Sequence, residues 1–278
     1  MLRPRIIPCL LVHNKGLVKT VNFGQPKYVG DPVNAVRIFN EKEVDELIVL
    51  DIDATAQNRE PDYAMIRNLA AECRMPLAYG GGVKTLEQVV KIIKLGVEKV
   101  AISSLTIEKP EVIADMARYV GSQSIVAVLD VKRDARRGYE VWTRNGKKNT
   151  KRDPVSVARE LEQLGVGEIT INSIDRDGMM KGYDLELARL VRDAVTVPMT
   201  VLGGAGKLAD LEALIRELGI VGAAAGSLFV FKGVYKAVLI NYPSRAEKAA
   251  LASAAQGAVA AHATRASTGG KSTEKVRA

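Results

Sequence analysis

The chain has 278 residues, 47% of them hydrophobic, two cysteines and a formal net charge of +8, enough apolar material for one large core of the size that α/β barrels reach as single units. No apolar run approaches the roughly 18 residues that span a bilayer, and MLRPRIIPCLLV offers too short an apolar stretch and no small-residue cleavage site for a secretory signal, so a cytoplasmic protein with no membrane role is expected. The positive excess calls for an anionic partner, yet no aromatic interleaving or nucleic-acid motif accompanies it, and Cys9 and Cys73 sit in apolar segments as packed, reduced thiols rather than a disulfide or zinc site.

In chain order, short apolar runs alternate with amphipathic stretches. The run Arg5–Val12 is followed by a helical period over Asp31–Asn40, then Glu46–Ile52 by Pro61–Cys73, Met75–Tyr79 by Thr85–Leu95, and Glu98–Ser103 by Pro110–Tyr119. The second half repeats the alternation: Ser124–Asp130 with Asp153–Leu164, Gly167–Ser173 with Asp184–Ala194, Pro198–Leu202 with Leu208–Leu218, and finally Val221–Ala225. The strands are near-continuously apolar, as parallel strands buried on both faces must be. Asp, Thr or Pro opens several helices, and glycine follows Leu95, Leu164 and Leu218 where those helices should end. Eight βα units predict a (β/α)₈ TIM barrel over residues 1–243. Residues 244–278 form a tail rich in Ala and Ser, with a helix expected over Arg245–Ala261 and disorder beyond.

The two halves resemble each other at an offset of roughly 120 residues, an internal half-barrel duplication. Arg5–Val12 matches Ser124–Val131, LDID (Leu50–Asp53) matches SIDRD (Ser173–Asp177), YGGGV (Tyr79–Val83) matches LGGAG (Leu202–Gly206), and VAISS (Val100–Ser104) matches GAAAGS (Gly222–Ser227). In this alignment Leu11 is the counterpart of Asp130, so one strand end has an acid and its duplicate has none.

Chemistry in such barrels sits at the C-terminal strand ends. Asp130 there is the natural general acid or base, or else a cap on the turn that follows. Gly81 and Gly82 with Ser103 and Ser104, and Gly203 and Gly204 with Gly226 and Ser227, are either tight turns or two facing anion sites, which would suit a ligand carrying two phosphates. Lys19 can hold a ligand or a loop, and Asp175, Asp177 and Gly178 either make a turn or orient a ligand hydroxyl. The basic stretch from Lys132 to Arg152 is a solvated ribbon or a cationic flap over the ligand. At the other end, Arg5, Glu46, Lys99 and Glu168 stand at strand beginnings, as wet ends or as a salt-bridge ring closing the barrel bottom. Neither a metal site nor a cofactor is read from the sequence.

RIIPCL, YGGGV, GKKNT (Gly146–Thr150), TINSIDRDG (Thr170–Gly178), KGYD (Lys181–Asp184) and GGAGK (Gly203–Lys207) resemble the cyclase subunit of imidazole glycerol phosphate synthase over residues 1 to 242. The resemblance implies a barrel that receives ammonia at its N-terminal face from a separate glutaminase subunit and uses it at the top on an anionic, phosphorylated small-molecule substrate. It also implies an ammonia gate at Arg5, Glu46, Lys99 and Glu168, and phosphate loops at Gly81, Gly82, Ser104, Gly203, Gly204, Gly226 and Ser227. The two catalytic aspartates of that family fall on Leu11 and Asp130, its asparagine after strand four on Ser103, its strand-six threonine on Asn172 and its serine on Leu202. An intact ammonia-handling end with an altered ring-closing end is the pattern of paralogues that convert an acetamido group on a sugar to an acetamidino group in surface-polysaccharide synthesis. The implied activity is thus that of an ammonia-using, lyase-type synthase subunit, with histidine-pathway cyclisation or non-catalytic activation of a glutaminase as alternatives.

Overall fold

A computed structural model describes residues 3–255. Eight parallel strands form the barrel: β1 (Arg5–His13), β2 (Leu47–Asp51), β3 (Leu77–Gly80), β4 (Lys99–Ile102), β5 (Ile125–Asp134), β6 (Glu168–Ser173), β7 (Met199–Leu202) and β8 (Gly222–Ala225). Each pairs with the next, and β8 returns to β1 through Arg5↔Gly222 to Pro8↔Ala225, so the sheet closes with no free edge.

The connecting helices are α1 (Pro32–Glu41), α2 (Tyr63–Glu72), α3 (Leu86–Lys94), α4 (Pro110–Val120), α5 (Pro154–Gln163), α6 (Leu185–Arg192) and α7 (Leu208–Leu218). Local chemistry starts them where the sequence signals. Asp31, Asp62, Asp153 and Asp184 each accept the backbone N–H three residues on, and Thr85 with Gln88 makes a reciprocal capping box. A further helical stretch, 245–255, buries Leu251 and Ala255, while Lys248 Nζ reaches Asp45 Oδ1 at 2.9 Å. The expectation of disorder beyond Ala261 concerns residues outside those described. No helix of the described residues is long and apolar enough to cross a membrane.

Strand alternation divides the apolar residues between two cores. On β1, Ile6, Leu10 and Val12 pack outward with the helices, whereas Ile7, Cys9 and Leu11 turn to the axis with Ile48, Leu50, Ala78 and Leu202. Both cysteines are free, and burial pushes the Cys9 thiol up to about 12, so it is a packed, unreactive thiol.

Several elements differ from expectation. β5 continues four residues past Asp130 because Gly138–Thr143 pairs back on it, from Asp130↔Trp142 to Asp134↔Gly138. A hairpin of Gly16–Lys19 and Lys27–Gly30 follows β1, and short helices Ser104–Glu108 and Ser227–Val230 follow β4 and β8, preserving the two-fold repeat in places where no helix period is legible.

Candidate active site

At the bottom of the barrel the four charged strand beginnings meet. Lys99 Nζ lies 2.9 Å from both Glu46 carboxylate oxygens and 2.9 Å from Glu168 Oε2. Arg5 bridges the same two acids, through a contact to Glu46 and a 2.7 Å bond to Glu168 Oε1. Thr200 Oγ1 donates to Glu168 at 2.5 Å. Both glutamates are buried. Burial alone would raise the Glu168 carboxyl, but the Arg5 hydrogen bond and the charges of Arg5 and Lys99 outweigh it and hold the group down to about 2. Two cations and two anions thus form a ring that closes the barrel, rather than four wet ends.

Above the ring, a small void is lined by Ile48, Leu50, Ala78, Ala101, Val126, Val128, Thr170 and Leu202, with Glu46 and Glu168 as its floor. Leu50, Ala101, Val128 and Leu202 also line the large cavity at the top, so a mainly apolar zone separates the two ends.

The top cavity has a volume of about 390 Å³. Leu11, Lys19, Gly81, Gly82, Ser103, Ser104, Asp130, Asp177, Gly178, Gly203, Gly204, Gly226 and Ser227 all line it, so the strand ends picked from the sequence converge on one space. Asp175 stands outside it: its Oδ2 accepts the Arg133 N–H at 2.8 Å, a structural brace on the ribbon. Glycine is required at the loop turns for the backbone itself. Gly81 has φ +125° and a Cβ there would lie 2.4 Å from Asp51 O, while Gly204 has φ +113° and its Cβ would meet Gly182 O at 2.2 Å.

Asp130 is buried between two donors, Asn172 Nδ2 at 2.9 Å to Oδ1 and Ser103 Oγ at 3.2 Å to Oδ2. Desolvation dominates these bonds, and with nearby Asp177 it pushes the carboxyl up to about 6, which suits an acid or base near neutral pH. Asp177 is also raised by burial; its Oδ2 accepts from Thr20 Oγ1 at 2.8 Å. Lys19 Nζ donates to Cys9 O at 2.7 Å, and burial lowers its pKa. Across the barrel from Asp130, Leu11 pairs with Leu50 and presents an apolar wall.

Two expectations need adjustment. The Ser104 hydroxyl accepts the Arg144 N–H at 3.0 Å, and the Gly82 N–H donates to Thr55 Oγ1 at 3.2 Å, so both groups already have partners within the protein. The ribbon folds over the mouth, where Asn145 lines the cavity and bonds Ile52 O, but three of its arginines turn to carboxylates: Arg133 to Glu186 at 2.9 Å, Arg144 to Glu108 at 2.9 Å and Arg137 to Glu140 at 3.6 Å. It is a braced flap more than a cationic one.

Sequence reasoning missed Thr20, Phe23, Thr55, Asn58, Lys84 and Asn145 as cavity residues. Thr20 and Phe23 arrive because Asn22 N donates to Asp177 O at 2.9 Å and its side chain bonds Ile174 O and Asp175 O, stitching the loop after β1 to the loop after β6. A polar Asn-Phe-Gly turn after Lys19 was the available signal.

A family model described as histidine biosynthesis protein matches residues 5–236. A Leptospira interrogans protein provisionally named imidazole glycerol phosphate synthase subunit HisF is 59% identical over 252 residues, covering 90% of this chain and 99% of that protein. A Pseudomonas aeruginosa protein provisionally named as subunit hisF2 of the same synthase is 53% identical over 243 residues, covering 87% of this chain and 97% of that protein. The Alkaliphilus metalliredigens imidazole glycerol phosphate synthase subunit HisF is 42% identical over 234 residues, covering 84% and 93%.

Proposed function

We propose a function from the premise that this chain belongs to the histidine biosynthesis protein family: it is the synthase subunit of a glutamine amidotransferase, taking ammonia from a glutaminase subunit docked at the N-terminal face of the barrel. The ammonia passes the ring of Arg5, Glu46, Lys99 and Glu168, crosses the mainly apolar zone bounded by Ala101, Val128 and Leu202, and meets its acceptor beside Asp130. The acceptor is an anionic, phosphorylated small molecule, held by the two facing glycine loops with the N-termini of the short helices at Ser104 and Ser227. Lys19, Asp177 and Gly178 orient its remaining polar groups.

The observation that carries the reading is the chemistry of the top cavity. β5 delivers Asp130 to it, and β1, its duplicate, delivers Leu11. Leu11 transfers no proton, and a directly participating acid or base is typically worth roughly 10²–10⁴-fold in rate. A cavity with one acid at this pair of positions, facing an apolar wall of Leu11, Leu50 and Leu202, suits amination of a group that itself has an apolar part, and we assign the reaction as acetamido-to-acetamidino conversion on a sugar of a surface polysaccharide, in which ammonia forms the new C–N bond and the amide oxygen, activated by a phosphoryl donor such as a nucleoside triphosphate, leaves as phosphate. A second reading, a working cyclase of histidine synthesis, is favoured by the names of the relatives.

Growth separates the two. Expressed in a histidine auxotroph lacking its cyclase subunit, this chain should fail to support growth without histidine, and Leu11→Asp should restore growth only in part, because Ser103, Asn172 and Leu202 shape the same cavity. Full growth with the unmodified chain would establish the cyclase reading instead.

A further inference from the structure

β6 carries Glu168, Thr170 and Asn172 on one inward face, from the charged ring through the inner void to the top cavity. At about 3.3 Å per residue the climb is roughly 13 Å. Asn172 ends it, flanked in register by Asp130 on β5 and Leu202 on β7.

The two ends of its amide have different fates. Nδ2 donates to Asp130 Oδ1 at 2.9 Å, which fixes the orientation, since a reversed amide would set its oxygen against a carboxylate oxygen. Oδ1 is buried with no hydrogen-bond partner, on a residue that is 5% exposed and lines the cavity. Buried side-chain acceptors are rarely left unmatched, so this one is built for a donor that arrives from outside the protein. Below it, Ala101, Val126 and Val128 offer an entering molecule no hydrogen bond, and Thr170 is the polar side chain of that wall. A small polar molecule rising from the ring therefore meets, at the top of β6, a residue with an unmatched acceptor tied directly to Asp130.

We infer that Asn172 Oδ1 is the docking acceptor for an N–H of ammonia as it enters the top cavity, holding the nitrogen beside Asp130. The inference rests on the reading that ammonia crosses the barrel. Asn172 binds the incoming nitrogen through Oδ1 and positions Asp130 through Nδ2 at the same time, two tasks given to two separate atoms, whereas a threonine would have one hydroxyl for both. The position is thereby specific to the chemistry of this cavity rather than a neutral replacement.

The test uses the whole chain and ammonium as the probe. The protein is labelled with carbon-13 at the asparagine side-chain carbonyls, and the Asn172 resonance is identified by its loss in Asn172→Leu or, if that variant does not fold, in Asn172→Thr. Ammonium chloride and potassium chloride are then titrated at equal ionic strength at pH 9 and again at pH 7. The expected result is a saturable shift of the Asn172 signal with ammonium, none with potassium, and a weaker response at pH 7 as neutral ammonia declines. Equal shifts with the two salts would mean a simple cation effect at Asp130 or Asp177, and no saturable shift would mean that water fills the acceptor; either result overturns the inference. If a glutaminase subunit engages the barrel and Asn172 stays silent, this inference fails alone. If Asn172 responds and no glutaminase engages, the channelling reading fails and the ammonia site stands.

Discussion

Asp130→Asn should give a protein that is more heat-stable and much slower in synthase turnover. The carboxyl is pushed from its ordinary 3.8 up to about 6, chiefly by burial. A group raised on folding contributes stability that is full below its unfolded value and lost as pH rises through the folded one, so ionised Asp130 costs the native state up to about 3 kcal/mol above pH 6. Asparagine keeps the shape and both bonds, since its oxygen can accept from Asn172 Nδ2 and its amide can donate to Ser103 Oγ. The unfolding midpoint at pH 8 should rise by roughly 5–10 °C, and the gain should vanish near pH 4, where the native acid is itself neutral. Turnover should fall roughly 10²–10⁴-fold. A variant that is no more stable than the parent at pH 8, or one that keeps its turnover, would remove Asp130 from the role of buried acid.

Lys99→Met should act in the opposite direction on stability. Lys99 lies within 2.9 Å of both Glu46 and Glu168, and its side chain is 18% exposed. Without it, Arg5 alone must balance two buried carboxylates, and removing one member of a buried charge cluster costs about 3–5 kcal/mol. The pH dependence carries a separate signature. Glu168 is held down to about 2 from an ordinary 4.5, so it contributes stability that is full above pH 4.5 and is lost as pH falls toward 2. Removing a cation that holds it down moves this loss to higher pH, and acid unfolding of Lys99→Met should begin earlier than in the parent. The same substitution should uncouple glutamine hydrolysis in the partner from transfer at the barrel top. Unchanged acid unfolding together with unchanged coupled turnover would leave the ring as a decorative cluster of charges.

The barrel was legible because its strands are apolar on both faces and its helices carry capping acids, two signals that need no long-range information. Strand ends were legible for the same reason: once the apolar runs of β5 and β7 are placed, Asp130 and Gly203 can only be at the top. The ring followed from charges at four strand beginnings, although only the distances from Lys99 to two glutamates distinguish a ring from wet ends. The covers of the cavity were not legible. Thr20 and Phe23 reach it through Asn22, whose partners lie more than 150 positions away, and Asn145 reaches it because β5 overruns its expected end to build a ribbon. Local sequence carries no trace of such partners. The same holds for Ser104, whose hydroxyl looked free for a ligand until the ribbon tip took it. Asn172 stood out as a departure at a strand end, but its unmatched acceptor is a property of the folded neighbourhood of Asp130 and Leu202.

Isotope transfer tests the central claim, that nitrogen delivered through the ring is fixed on a sugar-linked acceptor beside a single acid. The chain, its glutaminase subunit, a nucleoside triphosphate to activate the amide oxygen and glutamine labelled with nitrogen-15 in the side-chain amide would be offered two acceptors together, an acetamido sugar nucleotide and the bisphosphorylated ribulose intermediate of histidine synthesis, and the products read by mass spectrometry. The account predicts label in an amidine on the sugar, lost in Lys99→Met. Label in the imidazole ring, with the sugar nucleotide unchanged, would contradict it.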